Sequence, residues 1–331
     1  MKNKIVSILS ALTAAVLLVC LCSCKSTNSS QKFYIAVITK ATDSDFWSNV
    51  QRGVNSAATE YNVAVTFGGP ADEQDFRSQN DMIEKAVRDG ADAIVLSAID
   101  YNKTAEAVDK AAAAGVKIIM IDSGVNSDEI SAFIGTDNYS AGKTAAKSAI
   151  DCAVDKGVKE LNIGLVNYGK SSDNGQQRES GVRDYIKSYS SKDVDVNIVS
   201  SINVQPNTTS AAAGTIRMLY ANPDINCLIG FNEWMTLGMG NAIRQQNNGD
   251  SIIAVGFDSN VVSIGMLETG EMDALIVQNP FAIGYTGVEC AYNLLSGKSV
   301  ESNIFTDTTP VTSKNMFDGD KQKILFKFDQ R

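Results

Sequence analysis

Histidine is absent from this 331-residue chain. That absence excludes every Ser-His-Asp or Cys-His mechanism and every histidine-ligated metal centre, and it removes the side chain that most often moves protons near neutral pH. Proline is scarce, five in all, and its scattered positions mark no linker. Basic residues are in deficit, 29 against 38 acidic, for a net charge of −9. Phosphate-binding surfaces need clustered Lys and Arg, so no nucleic-acid partner is expected. Long apolar runs are also missing but for one, Ile5 to Leu21, which follows Lys2 and Lys4. Cysteine is rare, and three of the six residues, Cys20, Cys22 and Cys24, crowd at the end of that run.

A membrane-spanning helix needs about 20 apolar residues, so the run at 5–21 fits a signal-peptide core better than a span. Leu21-Cys22-Ser23-Cys24 resembles the bacterial lipobox, in which an aliphatic and two small residues precede a cysteine that receives lipid. The resemblance implies cleavage after residue 23 and lipidation of Cys24, with Cys20 and Cys22 leaving with the signal. A metal site would need further ligands, and this segment has no histidine and no later CxxC to supply them. Residues 24–32 then read as a lipidated cysteine and a flexible polar tether. Loss of Lys2 and Lys4, with no acid, moves the net charge of the remaining chain from −9 to −11. Cys152, Cys227 and Cys290 are isolated within apolar runs and are expected as buried small hydrophobes.

About 300 residues remain, too many for one ordinary core, and two domains are expected. Short β-branched runs alternate with segments of helical period. Strands are expected at 33–39, 62–67, 91–97, 116–122, 161–167, 194–201, 225–232, 251–258 and 272–278. Between the first two, Phe46, Val50, Val54, Ala58 and Tyr61 recur at three- and four-residue intervals, an amphipathic helix; others are expected around 74–89 and 103–114. Alternating βα units argue for parallel sheets covered by helices on both faces.

In open α/β sheets, ligands bind beyond the carboxyl ends of the strands. The residues there are Asp43-Ser44-Asp45-Phe46-Trp47, Ser97, Asp122-Ser123, Asn232-Glu233-Trp234, Asp258 and Gln278. Acids, amides and aromatics together suit a neutral polyhydroxylated ligand: carboxylates and amides pair with hydroxyls, and a flat ring covers a C–H face. The aspartates stand equally well as helix N-caps, and Phe46 and Trp47 as first core contacts of their helix. Two enzyme-like patterns are weighed against this reading. Gly164 to Ser171 matches GxxxxGK[ST], but a phosphate loop begins after its strand, and Gly164 lies inside the apolar run LNIGLV. Asp122 and Asp258 could pair as glycosidase carboxylates, although nothing around them marks a proton-transfer environment. No enzyme activity, catalytic residue, metal site or cofactor is expected.

Ordered motifs then bring a family into view: DSDFWSNVQRGV, GADAIVLSA, IIMIDSG, IGTDNYSAGK, RESGV, FNEWMTLG, VGFDSN and ALIVQNPFAIGYTGVE. From Phe33 to about Thr312 the chain resembles the periplasmic binding proteins of bacterial ABC importers, of the ribose/galactose type. The resemblance implies two similar doubly wound, Rossmann-like α/β domains, 33–136 plus 279–307 and 137–278 plus 308–331. Three crossovers near Asp137, Gln278 and Thr308 would form the hinge, with the ligand in the cleft. It also implies stacking by Phe46 and Trp47 and hydroxyl contacts from Asp122, Arg178, Asn232, Asp258 and Gln278. Ser44 and Ser123 adjoin these and complete the expected set with Trp234.

Two departures leave the ligand's identity open. Ser123 stands where ribose-type members often carry arginine. Gln205-Pro206 stands where a second stacking aromatic is common, a role for which Trp234 is the candidate replacement. The expected function is capture of a small sugar or polyol by clamp closure and delivery to an ABC permease. The expected form is a monomer lipid-anchored on the outer face of the cell membrane. A sensing subunit signalling to a membrane histidine kinase or chemoreceptor would use the same binding event.

Overall fold

The computed structural model describes residues 32–190, 193–247, 249 and 251–325. Cys24, the expected lipidation site, lies outside them. No helix among the described residues is long and apolar enough to cross a membrane.

The first half runs β1 (Tyr34–Ile38), α1 (Asp45–Glu60), β2 (Ala64–Gly68), α2 (Phe76–Arg88), β3 (Ala93–Leu96), α3 (Ala105–Ala113), β4 (Lys117–Ile121), β5 (Ala132–Gly135) and α4 (Asn138–Asp155). The second half follows the same rhythm: β6 (Glu160–Tyr168), α5 (Asp173–Ser188), β7 (Asp195–Val204), α6 (Thr208–Ala221), β8 (Cys227–Gly230), α7 (Glu233–Gln246), β9 (Ile253–Phe257), α8 (Val261–Thr269), β10 (Ala274–Val277) and α9 (Pro280–Leu295). β11 (Asn303–Phe305), β12 (Thr309–Thr312) and α10 (Gly319–Leu325) complete it.

Among the described residues these strands make two six-stranded sheets, ordered β11-β5-β4-β3-β1-β2 and β12-β10-β9-β8-β6-β7. Each is the centre of an α/β domain. Central strands such as Ala93–Leu96 and Ala274–Val277 are buried along their whole length. That is why they read as unbroken apolar runs rather than as alternation. β7, at a sheet edge, alternates exposed and half-buried residues instead.

The two helices that follow the crossings are exchanged. α4 follows β5 of the first sheet but packs on β8, β9 and β10 of the second, and α9 follows β10 but packs on β3, β4 and β5. The chain crosses a third time between β11 and β12. Pairing is parallel except for β12, which runs antiparallel to β10 at an edge, where Pro310 costs no ladder bond that matters. β6 extends through Tyr168, so the first five residues of the GxxxxGK[ST] pattern are strand and cannot wrap a phosphate. The three cysteines are free, Cys227 and Cys290 buried and Cys152 half-buried. Burial pushes the thiols of Cys152 and Cys290 up to about 11, which keeps them protonated and inert.

Each domain has a helix pair, set by two glycines, that crosses backbone on backbone. In the first, a Cβ on Gly53 of α1 would stand 2.0 Å from the Phe281 carbonyl oxygen, and one on Gly284 of α9 2.1 Å from that of Val50. In the second, Gly181 of α5 meets the Tyr139 carbonyl at 2.0 Å, and Gly142 of α4 meets that of Arg178 at 2.1 Å. Gly181→Ala must therefore force α4 and α5 apart and is expected to lower stability by about 1–3 kcal/mol. The control is Gly265→Ala in α8, where a Cβ meets nothing within 4 Å. It is expected to be neutral or stabilising by about 0.5–1 kcal/mol in the same urea titration. Equal losses in both variants would contradict the packing argument.

Candidate functional site

The carboxyl ends of both sheets face one another across a narrow polar cavity. Of the ten residues expected from sequence, nine line it: Ser44, Phe46, Trp47, Asp122, Arg178, Asn232, Trp234, Asp258 and Gln278. Ser123 does not; it is fully buried and its hydroxyl has no hydrogen-bond partner. The reason is local. Asp122 has φ of 58°, and the Ser123 N–H donates back to the Ile121 carbonyl at 2.5 Å, closing a three-residue γ-turn of the rarer, strained kind. The turn aims Asp122 at the cavity and takes Ser123 out of it.

The first domain supplies the end of β1 and its helix. Ser44, rather than a neighbouring aspartate, caps α1, accepting from the Trp47 N–H at 3.3 Å. Trp47 is almost fully buried and donates its indole N–H to Glu73 Oε1 at 3.0 Å, while the half-buried Phe46 packs edge-on against it with centroids 4.9 Å apart. Burial pushes the Glu73 carboxyl up, partly offset by the Lys40 charge and the Trp47 bond. Asp122 accepts from Ser97 Oγ at 2.9 Å and sits 3.3 Å from the Lys40 ammonium. Lys40 is only 2% exposed. Burial works against its charge, but the fields of Asp122, Tyr168 and Glu73 hold it above the ordinary lysine range.

The second domain is organised by Arg178 in the first turns of α5. Its guanidinium donates to Asn138 Oδ1 at 2.9 Å, to the Phe231 carbonyl at 2.6 Å and to Gln278 Oε1 at 2.8 Å, and its face lies 4.4 Å from the Phe257 ring centroid. Gln278 passes the chain on, donating to Asp258 Oδ1 at 2.6 Å and accepting from Thr136 Oγ1 at 2.8 Å. Asp258, like Asp122, has a left-handed backbone (φ 68°) and follows the fourth strand of its sheet's sequence. The main-chain N–H of each donates to the next strand, to Ile276 and Ile134 respectively, both at 3.0 Å. Aspartate enters this uncommon region more readily than most residues, and the surrounding bonds hold both there. Burial raises the Asp258 carboxyl, against the Arg178 charge and the Gln278 bond. Asn232 caps α7 with its carbonyl oxygen, accepting from Met235 N–H at 3.0 Å, which leaves its amide N–H groups for the cavity.

The two walls are already joined. Lys40 reaches Asn174 Oδ1 at 3.1 Å, Asn174 donates to both oxygens of Asp122 at 3.1 and 3.2 Å, and the Gly124 N–H donates to Asp173 at 3.2 Å. On the other side the Phe46 N–H points at Glu233 Oε2, 3.4 Å away, while Asn260 donates to Oε1 at 2.7 Å. Burial pushes the Glu233 carboxyl from its ordinary 4.5 to about 7; Asp258 and Asp45 add to this and the Asn260 bond opposes it. A carboxyl raised in the folded state contributes stability that is complete below about 4.5 and is lost as pH rises through about 7. Glu233→Gln is accordingly expected to gain on the parent protein from pH 4.5 to 7, by on the order of 3 kcal/mol, and to hold that gain above it. Parallel pH-dependent melting curves would contradict the assignment.

Lys40, Glu73, Tyr168 and Asn174 also line the cavity and were not expected from sequence. Lys40 carries a readable signal, a lone cation two residues past the strand end, whereas Glu73, Tyr168 and Asn174 lie on a loop, at a strand end and in the first turn of α5, whose course toward the cleft is set by the fold.

Comparison with known proteins agrees with this architecture. A family model described as a periplasmic binding protein domain matches residues 35–299. The ribose import binding protein of Bacillus subtilis is 26% identical over 310 residues, covering 91% of this chain and 96% of its own. A carbohydrate transporter solute binding protein from Agrobacterium radiobacter, solved in complex with D-arabinose, is 30% identical with a TM-score of 0.85, over 90% of this chain and 100% of that one. An ABC transporter solute binding protein from Agrobacterium vitis with bound D-fucose is 33% identical with a TM-score of 0.82, over 88% and 99%. Two parallel-sheet domains, helices exchanged at the crossings and a polar cavity between the strand ends accompany a family match over most of the chain: it belongs to the periplasmic binding protein family.

Proposed function

We propose that this chain is an extracytoplasmic receptor that captures a small sugar or sugar-like polyol and delivers it to an ABC importer. The observation that carries the reading is the composition of one cavity. Carboxylates and amides from both domains converge there on the edge of an aromatic pair. Asp122, Asn232, Asp258, Gln278 and Arg178 supply donors and acceptors for ring hydroxyls, and Phe46, backed by Trp47, offers a flat surface to C–H groups. A ligand touching both walls binds the closed arrangement better than the open one and shifts the population toward it.

The moving bodies in this account are 33–136 with 279–307 and 137–278 with 308–331, hinged at the three crossings. The closed form docks on the permease, and lipid on Cys24 holds the monomer at the membrane. No step of the account requires a chemical reaction.

The test is a thermal-shift panel of pentoses, hexoses, polyols and nucleosides on the protein beginning at Lys25. A ligand at 100 times its Kd should stabilise the fold by about 2.7 kcal/mol. The expected result is a clear shift with one sugar class that Asp258→Ala abolishes. A folded protein that no sugar or polyol shifts would contradict the proposal.

A further inference from the structure

The wall of the ligand cavity at Lys40 has a second face. A second, roomier cavity lies beyond Lys40, Glu73 and Tyr168, which line both. Phe76, at the start of α2, and Asp100 with Lys103, after β3, wall it from the first domain. Ser171, Ser172 and Pro206 wall it from the second. The Tyr101 N–H donates to the Ser171 carbonyl at 3.0 Å across this gap, so the compartment is enclosed by the same approach of the domains that encloses the first.

Its boundary with the inner cavity is an ammonium, a carboxylate and a phenol, and the ammonium is loosely held. Lys40 lies 3.1 Å from Asn174, 3.3 Å from Asp122 and 3.4 Å from Ser172. Charge-assisted bonds of this kind ordinarily run about 2.7–2.9 Å. No single partner holds it close, and its three N–H groups can turn to an oxygen arriving between the compartments.

The outer lining repeats the chemistry of the inner one. Phe76 presents a half-buried ring with the Lys103 ammonium 4.6 Å from its centroid. Asp100, buried and fixed by the N–H groups of Asn102 and Lys103 at 3.0 and 2.9 Å, steers that ammonium from 3.4 Å. A flat ring beside a carboxylate, two ammonium groups and two serine hydroxyls suits a hydroxylated ring and is a poor host for an apolar group.

We propose that the compartment beyond Lys40 and Glu73 is a second sugar subsite, so that the ligand is a disaccharide or a glycoside with a polar second unit, its linking oxygen passing Lys40. This rests on the sugar-binding reading above and narrows it.

The test is calorimetry on the protein with matched pairs: D-galactose with lactose and melibiose, D-glucose with maltose, isomaltose and cellobiose, D-xylose with xylobiose. At least one disaccharide is expected to bind fivefold or more tighter than its own monosaccharide. Phe76→Ala and Lys103→Ala, both on half-buried or exposed side chains, should erase that gain while leaving the monosaccharide Kd within twofold. Monosaccharides bound with no disaccharide exceeding its parent would overturn the second subsite and leave the receptor reading standing. A gain that survives both substitutions would overturn it as well. No binding by either class, with the protein folded, would sink both readings together.

Discussion

Arg178→Met should abolish sugar binding, with a loss of at least a thousandfold in affinity, about 4 kcal/mol, and lower stability by several kcal/mol. The guanidinium is 1% exposed, and its removal strands two buried acceptors, Asn138 Oδ1 and the Phe231 carbonyl, and leaves Gln278 Oε1 with Thr136 as its remaining donor. A buried polar group left unpaired costs about 1–3 kcal/mol. Asp258 also loses the positive charge that opposes its desolvation, so its carboxyl rises further toward the neutral form and becomes a weaker acceptor. Arg178→Lys should not rescue binding, because a point-like ammonium cannot reach three acceptors held in a planar fork. Calorimetry with the sugar found in the thermal panel, together with urea denaturation, measures both effects. Retained affinity in either variant would remove Arg178 from the site.

Lys40→Met is expected to cost about 3–5 kcal/mol, the usual penalty for removing one partner of a buried ion pair. Asp122 would keep Ser97 and Asn174 as donors but lose its cation, while Glu73 would lose the charge that offsets its burial. The double variant Lys40→Met with Asp122→Asn should recover much of the stability, since the Asp122 charge goes with its cation and Glu73, though it lacks Lys40, no longer feels the Asp122 field. It should not recover binding, because the carboxylate acceptor is gone. Denaturation curves of the two single variants and the double variant form a cycle that isolates the pair. A double variant no more stable than Lys40→Met would contradict the pairing.

Much of this was legible in the chain. Seven of the nine expected strands announce themselves as apolar runs because parallel strands buried on both faces have little polar alternation to blur them, while the edge strands β2 and β7 show through their β-branched residues. Ala132–Gly135, Asn303–Phe305 and Thr309–Thr312 do not: they are three or four residues long, and glycine or proline breaks two of them. The strand-end rule found Asp122, Asn232, Asp258 and Gln278 because a parallel sheet places its carboxyl ends together. It could not say that Ser123 turns away, since that depends on the left-handed conformation of the residue before it. Nor could it find Asn174, which reaches Asp122 from the opposite domain across 52 residues of chain. Glu233 stood in the strand-end set, but its bond to Asn260 and its place against Phe46 exist only once α7, α8 and α1 are assembled.

Closure on ligand is the central claim, and small-angle X-ray scattering of the protein with and without saturating sugar tests it most directly. The radius of gyration should fall when sugar is added, as two domains hinged at three crossings close over the cavity between Asp122 and Asp258. An unchanged radius, with calorimetry reporting a fully bound protein, would contradict it.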